Sequence, residues 1–241
     1  MSDLRDRIAK LIDTAEPGQV WVPADFAPLG NRGVIDKTLQ RMAAQRDLRR
    51  IDRGLYDRPA ISKLTKRPTM PDYRAVLNAL ARRDQSRLLV DGITAANDLG
   101  LTDAVPARVT IYTDARRRSI QLGKLIIEFK LAAPSRLYWA GHPAMRVVQA
   151  LHWLQDMLPA DETRITKTLA RVLGDSQHGN AIRADLAQGF NVLPAWMQAY
   201  LRTVPGFDAA LTARSSLSPD RKSRLTTTKS PPRPKRGQAA S

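Results

Sequence analysis

Between Asn31 and Pro59 the spacing of apolar residues changes from a helical to an alternating period, which fixes a helix followed at once by a hairpin. Val34, Ile35, Leu39 and Met42 form the apolar face of a helix predicted from Gly33 to about Arg46. Leu48-Arg49-Arg50-Ile51 and Leu55-Tyr56-Asp57 then flank Asp52-Arg53-Gly54, with Arg58-Pro59 as the stop. That is two short strands about a Gly-containing turn. Upstream, Ser2 is a candidate N-cap for a helix carrying Leu4, Ile8, Leu11 and Ile12, which ends near Glu16-Pro17-Gly18. Val20-Trp21-Val22 reads as a very short strand. Pro23 to Ala27 fits a turn or two of helix, and Gly30-Asn31-Arg32-Gly33 a tight turn.

Helix, short strand, short helix, turn, helix and hairpin is the order of a winged helix-turn-helix, a shape that lays one helix in the major groove of duplex DNA. Charge falls on the same segment. Residues 31–67 hold 11 basic and 4 acidic side chains, in a chain with 39 basic and 23 acidic residues and a net charge of +16. Arg32, Lys37, Gln40 and Arg41 lie off the apolar face of the longer helix, where Arg suits guanine and Gln suits adenine. Arg49, Arg50 and Arg53 on the hairpin are placed for phosphate or a minor groove. The other reading is a solvated basic face on a winged fold used for protein contacts. Because pattern and charge coincide, double-stranded DNA is the expected partner.

The rest of the chain reads as α+β. Residues 61–70 form a basic linker. Residues 71–211 begin with a helix over Tyr73, Val76, Leu77 and Leu80, then a strand at Leu88-Leu89-Val90 and a helix from Ile93 to Leu99, with Gly100 past its end. Val109 and Ile111, Ile120 and Leu122, and Leu125, Ile127 and Phe129 alternate with polar neighbours and predict a small antiparallel sheet, followed by helices to the end of the domain. Residues 212–241 carry 8 basic and 1 acidic residue, and half of them are Ser, Thr, Pro or Gly, so they are expected to form a disordered basic tail.

Catalytic content is thin. There is no Cys, which excludes disulfides, thiolate metal sites and Cys nucleophiles. His142, His152 and His178 share no metal-ligand spacing, and no Gly-rich phosphate loop is present. Asp114 upstream of Glu128-Phe129-Lys130 has the acid…acid-x-Lys spacing of metal-dependent nucleases, which leaves a DNA-targeted nuclease as the alternative. The stronger reading of Glu128 and Lys130 is the polar side of an amphipathic strand. No enzyme activity, cofactor or metal is expected. The apolar runs are too short to span a membrane, and Asp3, Arg5, Asp6 and Arg7 give no signal-peptide pattern, so a soluble, cytoplasmic protein is expected.

Asn31-Arg32-Gly33-Val34, Leu48-Arg49-Arg50-Ile51 and Arg53-Gly54-Leu55-Tyr56-Asp57-Arg58-Pro59 resemble the winged N-terminal domain of abortive-infection E type antitoxins. So do Asp91-Gly92-Ile93-Thr94-Ala95-Ala96-Asn97-Asp98-Leu99-Gly100-Leu101, Val105-Pro106-Ala107 and Gly123-Lys124-Leu125. The resemblance covers about residues 1–150. It implies a type IV antitoxin with a winged helix-turn-helix domain over 1–60 that represses its own promoter. It also implies an α+β domain over 71–211 that counteracts a nucleotidyltransferase-like toxin without a tight complex. Asn31 lies in the motif that enters the recognition helix. Arg32, Lys37, Gln40 and Arg41 then match recognition-helix positions, and Arg49, Arg50, Arg53 and Arg58 the basic wing.

Overall fold

The computed structural model describes residues 3–207, so the Ser2 cap and the basic tail lie outside the described residues. In the first unit α1 (Leu4–Asp13) buries Ile8 and Ile12, and Asp3 holds its N-cap position without a side-chain bond. Next come β1 (Val20–Trp21), a 3-10 helix over Pro23–Leu29, α2 (Arg32–Ala44), β2 (Arg49–Asp52) and β3 (Leu55–Asp57). The three strands form one antiparallel sheet in the order β1-β3-β2. α2 starts where Asn31 Oδ1 accepts from the Gly33 amide at 2.8 Å, and stops where Arg46 turns to a positive φ of 66°. Ile35, Leu39 and Met42 pack on Ile8, Ile12, Trp21, Phe26, Leu48 and Tyr56. Each such burial contributes about 1.5–3 kcal/mol. Val34 departs from the expected apolar face and is 53% exposed. At 100° per residue it lies roughly 100° from the centre of the Ile35, Leu39 and Met42 stripe.

The second unit contains α3 (Tyr73–Asp84), β4 (Leu88–Val90), α4 (Gly92–Asp98), β5 (Arg108–Thr113), β6 (Ile120–Leu122) and β7 (Leu125–Leu131). Four further helices follow: α5 (Met145–Leu154), α6 (Leu158–Leu173), α7 (Gly179–Gln188) and α8 (Ala195–Thr203). Asp72 and Asp91 cap α3 and α4 with their carboxylates. α4 and α5 cross closely at Gly92, where a Cβ would come within 2.5 Å of the Trp153 side chain.

The sheet differs from the antiparallel one expected. Its order is β4-β5-β7-β6, and β5 pairs with β7 in parallel, so the sheet is mixed. The six residues 114–119 reach past one strand position, about 10 Å, and set the three-residue β6 at the edge. A tight turn at Gly123, with φ 61°, then returns the seven-residue β7 into the gap between β5 and β6. Alternation looks the same in parallel and antiparallel strands of this length, so only the connection could have disclosed the order.

The two units share a core. Val20, Val22 and Leu55 pack with Val76, Leu77, Leu80 and the sheet residues Val109, Ile111 and Ile127. Polar contacts follow the same seam: Arg82 Nη2 donates to Val20 O at 3.1 Å and to Asp25 at 3.2 Å, and Arg83 donates to Arg53 O. The expected linker folds as a small closed loop, with Thr69 N on Ala60 O at 2.8 Å and Ser62 N on Arg67 O at 2.9 Å.

Candidate nucleic-acid interface

α2 carries its polar side chains in two neighbouring rows. Arg32, Asp36 and Gln40 follow each other at four-residue steps and line a cleft of about 1030 Å³. Lys37 and Arg41 sit exposed in the next row, clear of that cleft. Arg32 Nε lies 3.1–3.2 Å from both Asp36 oxygens, which steers its guanidinium along the helix. Asn31 is used as the helix cap and is a positioning residue rather than a free contact.

The hairpin divides its arginines between two sides. Arg50 and Arg53 line the cleft with Gly54 and Tyr56. Arg49 points away from it, donating both Nε and Nη2 to Asp57, whose carboxylate is buried, with Nη1 3.3 Å from Met70 Sδ. Arg58 is likewise elsewhere and pairs with Asp13 beside α1. Of the nine residues chosen from sequence, the fold therefore gathers Arg32, Gln40, Arg50 and Arg53. It leaves Lys37 and Arg41 beside them, and turns Arg49 and Arg58 away.

The opposite wall comes from the second unit and was not anticipated. Arg83 on α3 and Arg116, Arg117 and Arg118 in the β5–β6 connection line the same cleft, so that seven arginines face three aspartates. Arg117 is the anchor of that wall. Its side chain is nine-tenths buried, donates to Asp84 and to Ser86 Oγ at 2.7 Å, and leaves its Nε without a partner. The hydrogen bond from Arg83, joined by that from Arg117, holds the Asp84 carboxyl below its ordinary value against the opposing effect of burial. Arg116 and Arg118 are exposed and make no hydrogen bond or ion pair among the described residues. The run Arg116-Arg117-Arg118 was visible in the sequence. Its place opposite α2 follows from the skipped strand position and was not.

The nuclease-like residues are not brought together. Asp114 accepts from the Arg87 amide at 3.1 Å and its Nε at 3.0 Å, and Arg87 holds the Asp114 carboxyl below its ordinary value. Glu128 pairs with Arg108 at 2.7 Å. Glu128 stands opposite Thr110, four residues before Asp114, which puts the two backbone positions about 13 Å apart along the sheet. Each carboxylate is taken up by its own arginine, and among the described residues no group of three or more His, Asp or Glu side chains is placed to hold a metal ion.

A protein family described only as of unknown function, DUF6088, matches residues 7–177. The chain belongs to this family. The matched span contains every residue that lines the cleft, on both of its walls. No curated protein matches the chain. Among the described residues, no helix is long and apolar enough to cross a membrane.

Proposed function

We propose that this protein is a regulator that binds double-stranded DNA through a winged helix-turn-helix formed by α1 to β3, assisted by the β5–β6 connection. The observation that carries the proposal is the convergence of Arg32, Gln40, Arg50 and Arg53 with Arg116 and Arg118 on one open basic cleft. A phosphate strand running along it meets guanidinium groups from both walls, while Lys37, Arg41 and Val34 stay exposed on α2 for base edges. Arg gives bidentate contacts to phosphate and guanine, and an exposed Val suits a thymine methyl. The DNA is expected to be promoter DNA upstream of the protein's own coding region. By resemblance to the abortive-infection E type antitoxins, we further propose that the protein counteracts a nucleotidyltransferase-like toxin.

The test uses the full chain, a promoter duplex and a random duplex of equal length. Fluorescence anisotropy should show affinity falling linearly in log-log with salt, by roughly 10³ from 50 to 200 mM if about six phosphates are engaged. Replacing Arg116 and Arg118 with Ala should reduce that slope by about 1.8 and weaken both duplexes alike. Arg41→Ala should narrow the gap between the two duplexes, at about 1–3 kcal/mol per lost base contact. Absent or salt-insensitive binding sinks the DNA proposal. The toxin half is tested separately: a nucleotidyltransferase-like gene beside the protein's own, with rescue on co-expression, supports it, and the lack of such a gene or unrelieved growth arrest refutes it.

A further inference from the structure

A second cavity, of about 680 Å³, opens between the end of α4, the loop before α5, the end of α6 and the start of α7. It shares no lining residue with the basic cleft. Its walls are mainly apolar, formed by Leu99, Pro143, Val147, Val172 and Ile182. Its size falls in the range of small-molecule sites, about 300–1,000 Å³, which pair apolar walls with a few converging polar groups.

The charges at the cavity define what it would take. His142 Nδ1 lies 2.7 Å from Asp185 Oδ1, and the other Asp185 oxygen accepts from the Ala144 amide at 2.9 Å, so the ring is held by a doubly fixed carboxylate. Tyr138 stacks on the same ring at 5.5 Å. The Asp185 carboxylate can only accept, so Nδ1 carries the proton in this contact and Nε2 of the neutral ring is an acceptor. Asp175 turns inward on its own chain: it accepts from the amides of Gln177 at 3.1 Å and His178 at 2.8 Å, and from the His178 ring. The two arginines are less well answered. Arg146 shares the single carboxylate of Asp98 with Arg74, and the Arg171 side chain has no hydrogen bond or ion pair among the described residues. The lining itself therefore sets two arginines against one aspartate among apolar walls.

We infer that this cavity is a ligand site for a small amphipathic monoanion, a carboxylate on an aliphatic or aromatic body. Its head would sit between Arg171 and Arg146, and its body against Val147, Val172 and Ile182. The contacts a ligand makes there touch α5, α6 and α7 at once, and none of them belongs to the basic cleft.

Calorimetry on the full-length protein tests this with octanoate, acetate and octanamide. Octanoate should bind saturably with one site per chain. Acetate, which lacks the body, and octanamide, which lacks the charge, should each bind about tenfold or more weakly. Arg171→Gln should weaken octanoate by about tenfold or more and leave octanamide unchanged. Ala181→Trp, at an exposed position on the rim, should block all three ligands while circular dichroism and Tm stay as in the wild type. Equal binding of octanoate and octanamide, octanoate binding undiminished by Arg171→Gln, or no saturable binding at all would each overturn the site.

Discussion

Arg49 and Arg53 stand four residues apart on one hairpin, share a side-chain type and were given the same role from sequence, yet the fold uses them differently. Arg49 is the counter-ion of the buried Asp57 carboxylate, with its own side chain three-quarters covered. Arg53 is exposed, and only its carbonyl is engaged, by Arg83. Removing Arg49 leaves an unanswered buried charge, so Arg49→Ala should cost about 3 kcal/mol in urea unfolding, while Asp57→Asn in the same background should recover part of it. Arg53→Ala should change stability by no more than about 0.5 kcal/mol and instead weaken both DNA duplexes alike. Equal stability loss in Arg49→Ala and Arg53→Ala would contradict the division. The sequence could not separate these two arginines, because a one-residue step along a strand reverses the face and the β-bulge between Arg50 and Asp52 shifts the count again.

Asp98, at the last position of α4, ties three helices together. Its side chain is 4% exposed and receives Tyr73 Oη, Arg74 Nη2 at 2.5 Å and Arg146 Nε at 2.8 Å, which join α3 and α5 to α4. Burial pushes the Asp98 carboxyl up, but the hydrogen bonds from Arg74, Tyr73 and Arg146 outweigh it and hold the group below its ordinary value. A depressed carboxylate contributes stability that is fully present above the unfolded value, near 3.9, and is lost as the pH falls through the folded value. The urea midpoint should therefore fall below about pH 4, and Asp98→Asn should lower it at neutral pH while flattening that acid decline. An unchanged acid slope in Asp98→Asn would remove Asp98 from the account. The helices were legible in the sequence through their apolar period, whereas the caps Asn31, Asp72 and Asp91, each accepting from the first turn of its helix, emerged only with the fold. The order of the strands was not legible. Ile127 and Ile111 alternate with polar neighbours in the same way whether their strands run parallel or antiparallel.

At the scale of the molecule, half of the candidate cleft was legible and half was not. Arg32, Gln40, Arg50 and Arg53 belong to a local pattern that sequence spacing can find, whereas Arg83 and Arg116 to Arg118 reach them only through long-range packing. What fixes the two walls is the common core. Leu55 and Val22 are fully buried among residues of the second unit, and Arg82 and Arg83 cross the seam to Asp25 and Arg53. The tip of the loop around Leu64, by contrast, faces solvent, with Leu64 itself 91% exposed. If the core holds the walls, the length of that loop should not matter. Inserting four Gly-Ser residues after Leu64 should cost no more than about 0.6 kcal/mol and leave DNA affinity within about twofold. Leu55→Ala should cost about 2–5 kcal/mol and weaken DNA binding in proportion to the unfolded fraction. A Trp21→Phe chain supplies the second readout, because its remaining Trp139, Trp153 and Trp196 all lie in the second unit. Its fluorescence transition in urea should coincide with the whole-chain transition seen by circular dichroism, as one cooperative unit requires. Two separated transitions, or a loss of more than tenfold in DNA affinity on lengthening the loop, would mean that the connection and not the core holds the cleft together.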